Sequence, residues 1–427
     1  LAEGAALWLT GDWFGRPWRD WLPRLAVADV LPTAAELLAA EEPADGSRVL
    51  WTPVAAAFVG ALPGETLADK LGRLPAEAEV ETWLGFFAES AEWPHDAARR
   101  GGVEPLPPFM AGVSLAMLNH VDLGYHAPSV AASMDHLERA VGADAVSLMP
   151  FAFQADPNAP EMRYLNRSPG SETDVSMLHA AKRARERGVT VLWKPQIWLR
   201  SSWPGEIELT SEADRAAWFR AYRRYVVHQA VLAEWAGADL FSVGVELGKT
   251  VEHEAEWRHL IAAVRLFYAG PLTYSANWYG DFDRVPFWDA LDLLGIDAYQ
   301  PLAESPEASE EELRAGARRA VETMAAAVEL HGKGLVITEL GYAAHEAAWV
   351  APHEEGGPYS EADQATAYRV MLDELGHPDW LRGVFVWKAF SNGPDDVPRR
   401  GRRTQRANFS FLDREAEAVI ARYYRAR

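Results

Sequence analysis

From Phe109 onward the sequence alternates short apolar runs with longer amphipathic stretches, and this rhythm limits the available folds more than any other feature. Eight runs read as strands: 109–117, 145–151, 190–197, 240–247, 271–277, 293–300, 334–342 and 383–390. They are nearly continuous in apolar residues rather than alternating, the pattern of a parallel sheet covered on both faces. Helical periodicity fills most gaps, over 129–141, 174–187, 211–235, 254–268, 309–331 and 361–375, with a last helix at 414–424. Only a weak candidate at 287–291 follows the fifth strand. Ser309 stands before an acidic turn, and Gly188 and Gly332 fall just past helix ends, as helix boundaries require. Eight such strands favour a closed barrel over an open doubly wound sheet, and neither the dinucleotide fingerprint nor a P-loop is present. The expected fold class is therefore α/β, a (β/α)8 TIM barrel over residues 107–427, which exceeds the roughly 250 residues such a barrel needs.

Residues 1–106 have a different texture. Their apolar segments, such as 8–21, 34–40 and 76–91, are short and interrupted by proline, and they read as a mostly helical N-terminal extension. A stretch rich in Gly and Pro, 99–108, joins the two parts. The extension carries no motif that chooses between bracing the barrel, capping its bottom and tethering it to a surface.

Composition removes several functions. A formal net charge of −21 disfavours nucleic acid and anionic membranes, which need clustered Lys and Arg, but leaves a neutral ligand unpenalised. The chain has no cysteine, so disulfides, thiolate metal sites and a cysteine nucleophile are excluded. No apolar run approaches the roughly 18 residues of a membrane span. The chain begins at Leu1, so an upstream signal peptide, anchor or cloning junction is expected to have been removed, and an extracellular or periplasmic location is favoured over the cytoplasm.

In a barrel of this kind the active site lies at the carboxyl ends of the strands. The fourth strand ends Gly244-Val245-Glu246-Leu247 and the seventh ends Thr338-Glu339-Leu340, each placing one glutamate after an apolar run. A carboxylate there is costly unless paired, hydrogen-bonded or used in chemistry. Two of them about 5 Å apart across the barrel mouth would suit double displacement at a glycosidic bond, one attacking and the other shuttling a proton. Other strand ends supply Lys194, Asn277, Trp278, Asp297, Tyr299, Trp387 and Lys388, and the loop after the third strand supplies Trp203. Trp and Tyr offer flat faces to pyranose rings, while the polar groups fix hydroxyls. Catalysis is therefore assigned to Glu246 and Glu339, and substrate contact to Lys194, Trp203, Asn277, Trp278, Asp297, Tyr299, Trp387 and Lys388.

The motifs Leu192-Trp193-Lys194-Pro195, Gly244-Val245-Glu246-Leu247, Pro271 through Trp278, Gly295-Ile296-Asp297-Ala298-Tyr299 and Thr338-Glu339-Leu340-Gly341-Tyr342 occur in order and in spacing that resemble glycoside hydrolase family 113, of clan A. The resemblance covers about three quarters of the chain, from Phe109 to Tyr424. It implies retaining cleavage of β-1,4-mannosidic bonds in mannan or manno-oligosaccharides, with Glu246 as acid/base and Glu339 as nucleophile. Tyr299 would hydrogen-bond the nucleophile and Trp387 would form the floor of the −1 subsite. No cofactor and no metal are implied, and a monomer is expected. One residue departs from the clan: Val245 stands where Asn commonly precedes the acid/base, and valine has no donor for a sugar 2-hydroxyl.

Rival readings fare worse. Lys194 and Lys388 also sit at strand ends, but a Schiff-base lysine needs a depressed pKa and neighbouring carboxylates raise it. Metal-dependent barrel hydrolases want a His-x-His near the first strand, and the 12 histidines contain none; His120 and His126 are too far apart. A non-catalytic sugar-binding barrel would keep the aromatics without needing both glutamates.

Overall fold

A computed structural model describes residues 2–39, 48–72, 75–90, 105–117, 124–164, 172–391 and 407–427. The apolar runs form eight parallel strands: β1 Met110–Ala116, β2 Ala145–Leu148, β3 Thr190–Trp193, β4 Leu240–Val245, β5 Leu272–Asn277, β6 Leu294–Ala298, β7 Leu335–Leu340 and β8 Leu381–Phe390. Each pairs with its sequence neighbour, and β8 pairs with β1, so the sheet closes on itself as the alternation of strands and helices demands. Inside it, Met110, Leu192, Leu240, Val336 and Phe385 form a distinct apolar cluster. A methyl group at Gly112 would lie 2.3 Å from the Phe385 ring, so the glycine makes room for that side chain.

Helices Ser129–His136, Asp174–Arg185, Glu212–Ala236, Glu254–Arg265, Glu310–His331, Glu361–Leu375 and Glu415–Arg425 follow the strands, with β5 the exception. After β5 the weak helical signal resolves to a single turn, Trp288–Ala290. Ser309 forms a reciprocal cap with Glu312, and Gly332 closes the same helix in a left-handed conformation. Both boundaries are where the sequence puts them.

Two strands are shorter than expected. The runs 145–151 and 190–197 each break at a proline, Pro150 and Pro195, which cannot donate to the barrel ladder. Beyond the break the chain continues as Phe151–Gln154 and Gln196–Leu199, which pair with each other and, with Met162–Tyr164, build a small three-stranded sheet. That sheet extends one wall of the barrel mouth upward and brings Phe151 and Trp198 to it.

The N-terminal residues form helices, including Trp21–Val27, Ala34–Leu38, Arg48–Ala61 and Glu77–Ser90. Helix Arg48–Ala61 is not among the segments singled out in the sequence; Pro53, its sixth residue, cannot donate to the Val49 carbonyl, and Trp13 Nε1 does so instead at 2.8 Å. The segment 8–21, expected to be helical, instead turns through a two-residue hairpin, Asp12–Trp13 with Arg16–Pro17. These helices lie against the outer face of Glu212–Ala236 and Glu254–Arg265, and one apolar cluster runs through both parts. Buried Arg223 reaches Asp29 at 2.7 Å, and buried Arg224 binds Glu36 at 3.0 Å and the Leu31 carbonyl at 2.7 Å. The region braces the barrel's side. Arg224→Ala removes these bonds but leaves Glu36 its capping bond to the Thr33 amide at 2.7 Å, and is expected to cost about 1–3 kcal/mol. Thermal unfolding checks this, and an unchanged midpoint would mean the ion pair contributes nothing to the bracing.

Among the described residues no helix is long and apolar enough to cross a membrane. No group of three or more His, Asp or Glu among them could hold a metal ion.

Candidate active site

At the carboxyl end of the barrel a cleft of about 780 Å³ opens, lined by Gln196, Trp198, Trp203, Val245, Glu246, Asn277, Trp278, Tyr279, Tyr299, Glu339, Trp387, Lys388 and Phe409, among others. Both glutamates are in it. Glu339 belongs to β7, and its position is fixed by three donors. Lys194 Nζ donates to Oε1 at 2.5 Å, Gln196 Nε2 to the same oxygen at 3.3 Å, and the Tyr299 hydroxyl to Oε2 at 2.6 Å.

Glu246 follows β4 directly and is the residue at which the chain leaves the sheet. Its φ is +53°, a left-handed conformation that a residue with a Cβ adopts only under constraint. Asn277 Nδ2 donates to Oε1 at 2.7 Å and Trp203 Nε1 to Oε2 at 2.5 Å. Burial, and next the charge of Glu339, push the Glu246 carboxyl up to about 7, while the Trp203 and Asn277 hydrogen bonds hold it down. A carboxyl that keeps its proton near neutrality can act as an acid there. The two glutamates thus differ in surroundings: Glu339 sits beside a cation and a phenol, Glu246 among neutral donors.

Two expected substrate contacts are elsewhere. Lys194 and Asp297 are wholly buried and do not line the cleft. Lys194 bridges Asp297 at 2.9 Å and Glu339 at 2.5 Å, and Asp297 also accepts from the Thr338 hydroxyl at 2.6 Å. Lys194 turns inward because two carboxylates compensate its desolvation, so it supports Glu339 from beneath. Burial alone would lower the pKa of Lys194, but Asp297 and Glu339 outweigh it and raise the value. That argues against a lysine nucleophile.

Trp203, Asn277, Trp278, Tyr299, Trp387 and Lys388 all reach the cleft, as expected from their positions. Gln196 and Trp198, which also fall at the end of the third apolar run, line the cleft although they are not among the assigned contacts, and so do Phe151, Tyr279, His353 and Phe409. Gln196 and Tyr279 had a usable signal, since each lies within two residues of a residue named at a strand end. Phe409 had none, arriving from the connection beyond β8. Among the large apolar side chains most exposed in the described residues, Trp198, Trp203 and Tyr279 all border this cleft. Lys388 Nζ lies 5.0 Å from the Trp387 ring centre and 5.9 Å from that of Phe409, forming an aromatic corner beside Tyr299.

The model of glycoside hydrolase family 113 matches residues 118–395. A solved family 113 β-mannanase from Alicyclobacillus acidocaldarius, in complex with ManMIm, is 26% identical with a TM-score of 0.66, over 74% of this chain and 97% of that one. Two solved structures of family 113 β-1,4-mannanase, one of them a complex, are 22% and 23% identical with TM-scores of 0.65, each over 75% of this chain and 99% of the other. No curated protein sequence matches the chain. With the family model spanning more than half of its length and a closed barrel carrying two glutamates at its mouth, this chain belongs to glycoside hydrolase family 113 and is a glycoside hydrolase.

Proposed function

We propose that the enzyme cleaves β-1,4-mannosidic bonds in mannan or manno-oligosaccharides with net retention, by double displacement. The observation that carries this reading is the pairing of two unlike carboxyls, Glu246 and Glu339, in one aromatic-lined cleft. Glu339, oriented by Lys194, Gln196 and Tyr299, attacks the anomeric carbon. Glu246 gives its proton to the leaving oxygen as the C–O bond breaks. A glycosyl ester on Glu339 results. Glu246, now a carboxylate, takes a proton from water, which attacks the anomeric carbon and frees Glu339.

Trp387 forms the floor under the reacting sugar, Trp203, which donates to Glu246, offers a stacking face where the leaving sugar departs, and Trp278 and Tyr279 offer further faces in the cleft. The mannose preference is drawn from the family 113 mannanases. Val245, apolar and on the cleft wall, leaves the 2-hydroxyl to other partners.

Product analysis of β-1,4-manno-oligosaccharides, with wild type and Glu339→Ala, tests the substrate. Cleavage by wild type alone is expected. Failure of folded wild type to cleave them would remove mannan from the reading.

The raised carboxyl of Glu246 adds a pH dependence. Its proton is lost as pH rises through about 7, so kcat/KM for an oligosaccharide should decline above that pH. In Glu246→Ala, assayed on the same oligosaccharide, the residual activity should lack this basic limb. A limb that persists in the variant would assign the titration to another group.

A further inference from the structure

Glu246 holds an unfavourable backbone conformation at the point where the chain leaves the barrel, and such strain persists only where neighbours over-determine it. Two hydrogen bonds do so. The Glu246 amide donates to the Ser275 carbonyl at 2.8 Å, extending the sheet by one residue. The next amide, of Leu247, donates to the hydroxyl of Tyr274, a side chain of β5, at 2.8 Å. That hydroxyl in turn donates to Asp281 Oδ2 at 2.9 Å.

Neither Tyr274 nor Asp281 touches the cleft, and both are wholly buried. The Tyr274 ring is clamped by Trp257 at 5.3 Å and Phe287 at 5.7 Å, so its hydroxyl is aimed rather than free to wander. A methyl group at Gly244 would come within 2.7 Å of Trp257 and 3.0 Å of Tyr274, so this packing also dictates a glycine two residues before the glutamate. Burying a carboxyl beside one phenol is expensive for packing alone. A phenol that donates to a carboxylate becomes a better acceptor for the amide behind it, and Asp281, whose carboxyl burial pushes up to about 7, is in that ionised form above neutrality. Burial, followed by the charge of Asp281, holds the Tyr274 pKa well above the ordinary value, so its hydroxyl keeps the proton it donates.

We propose that Tyr274 and Asp281 are positioning residues for the acid/base: the phenol–carboxylate pair pins the Leu247 amide and thereby holds Glu246 in its left-handed conformation, facing the cleft. This rests on the reading of Glu246 as acid/base, and its consequence is specific to proton transfer. A misplaced acid slows departure of a sugar alkoxide but not of a dinitrophenolate, which leaves without a proton. A loosened fold slows both.

The test compares kcat/KM for mannotetraose and for 2,4-dinitrophenyl β-mannoside in wild type, Tyr274→Phe, Asp281→Asn and Glu246→Ala. Tyr274→Phe is expected to lower the oligosaccharide value by about tenfold to a hundredfold, as small misplacements of a reacting group do, with much less effect on the aryl substrate. Asp281→Asn, which keeps an acceptor for the phenol but removes the charge, should move the ratio in the same direction by less. Parallel losses on both substrates, or no loss, would overturn the proposal. If Tyr274→Phe does not fold, Asp281→Asn decides by the same ratio. Glu246→Ala separates the two levels. If it shows the leaving-group selectivity and the other two variants do not, the positioning role alone falls. If it does not, the acid/base assignment falls and the positioning role with it. Should wild type prefer another β-glycoside, the ratio is read on that glycoside and its dinitrophenyl counterpart.

Discussion

Glu339→Ala is expected to lower the hydrolysis of β-1,4-manno-oligosaccharides by on the order of 10⁴ to 10⁶-fold, the scale seen when a covalent nucleophile is removed. No other group can take over the attack. Tyr299 is held as a donor, its pKa raised by burial and then by the charge of Glu339, and Lys194 lies sealed beneath the cleft. The variant should still fold, because Lys194 keeps its bond to Asp297 at 2.9 Å and no buried charge is stranded. Azide supplies a positive control. It fits the space vacated by the carboxylate and, attacking an activated aryl β-mannoside once, should yield the α-mannosyl azide. Residual oligosaccharide cleavage within about tenfold of wild type would remove Glu339 from the nucleophile's role.

Glu246→Ala should have a smaller and more selective effect. Removing a general acid costs about 10²–10⁴-fold, and only where the leaving group needs a proton. Manno-oligosaccharides should therefore lose that factor in kcat/KM, while a dinitrophenyl β-mannoside should form the glycosyl ester almost normally. Its turnover then stalls, since no base remains to activate water, and azide should restore it with the β-mannosyl azide as product. The opposite anomers of azide product from the two variants distinguish nucleophile from acid/base without recourse to rates. Equal losses on both substrates would mean that Glu246 supports the cleft without transferring a proton.

The parts of this site legible in the sequence were those set by strand ends. Near-continuous apolar runs located the strands, and the barrel rule converted strand ends into a short list that held both cleft glutamates. Depth was not legible. Lys194 and Asp297 sit at strand ends as surely as Asn277 does, yet they pair with each other below the cleft floor, and only the three-dimensional partnering decides which way each turns. Proline placement was legible in principle: Pro150 and Pro195 each end a barrel strand and start the small outer sheet that carries Trp198. What no local pattern could announce is contact across long separations. Phe409 reaches the aromatic corner from beyond β8, and Arg223 and Arg224 find their acidic partners nearly two hundred residues away. The phenol that pins the Glu246 turn is likewise hidden, because Tyr274 reads in sequence as one more apolar position of a buried strand.

The most direct test of the central claim is the anomeric configuration of the first product, followed by proton NMR as wild type hydrolyses a β-1,4-manno-oligosaccharide. Double displacement through a glycosyl ester on Glu339 predicts that the β-anomer appears first and mutarotates afterwards. Initial release of the α-anomer would mean a single displacement by water, and would contradict the assignment of Glu339 as nucleophile.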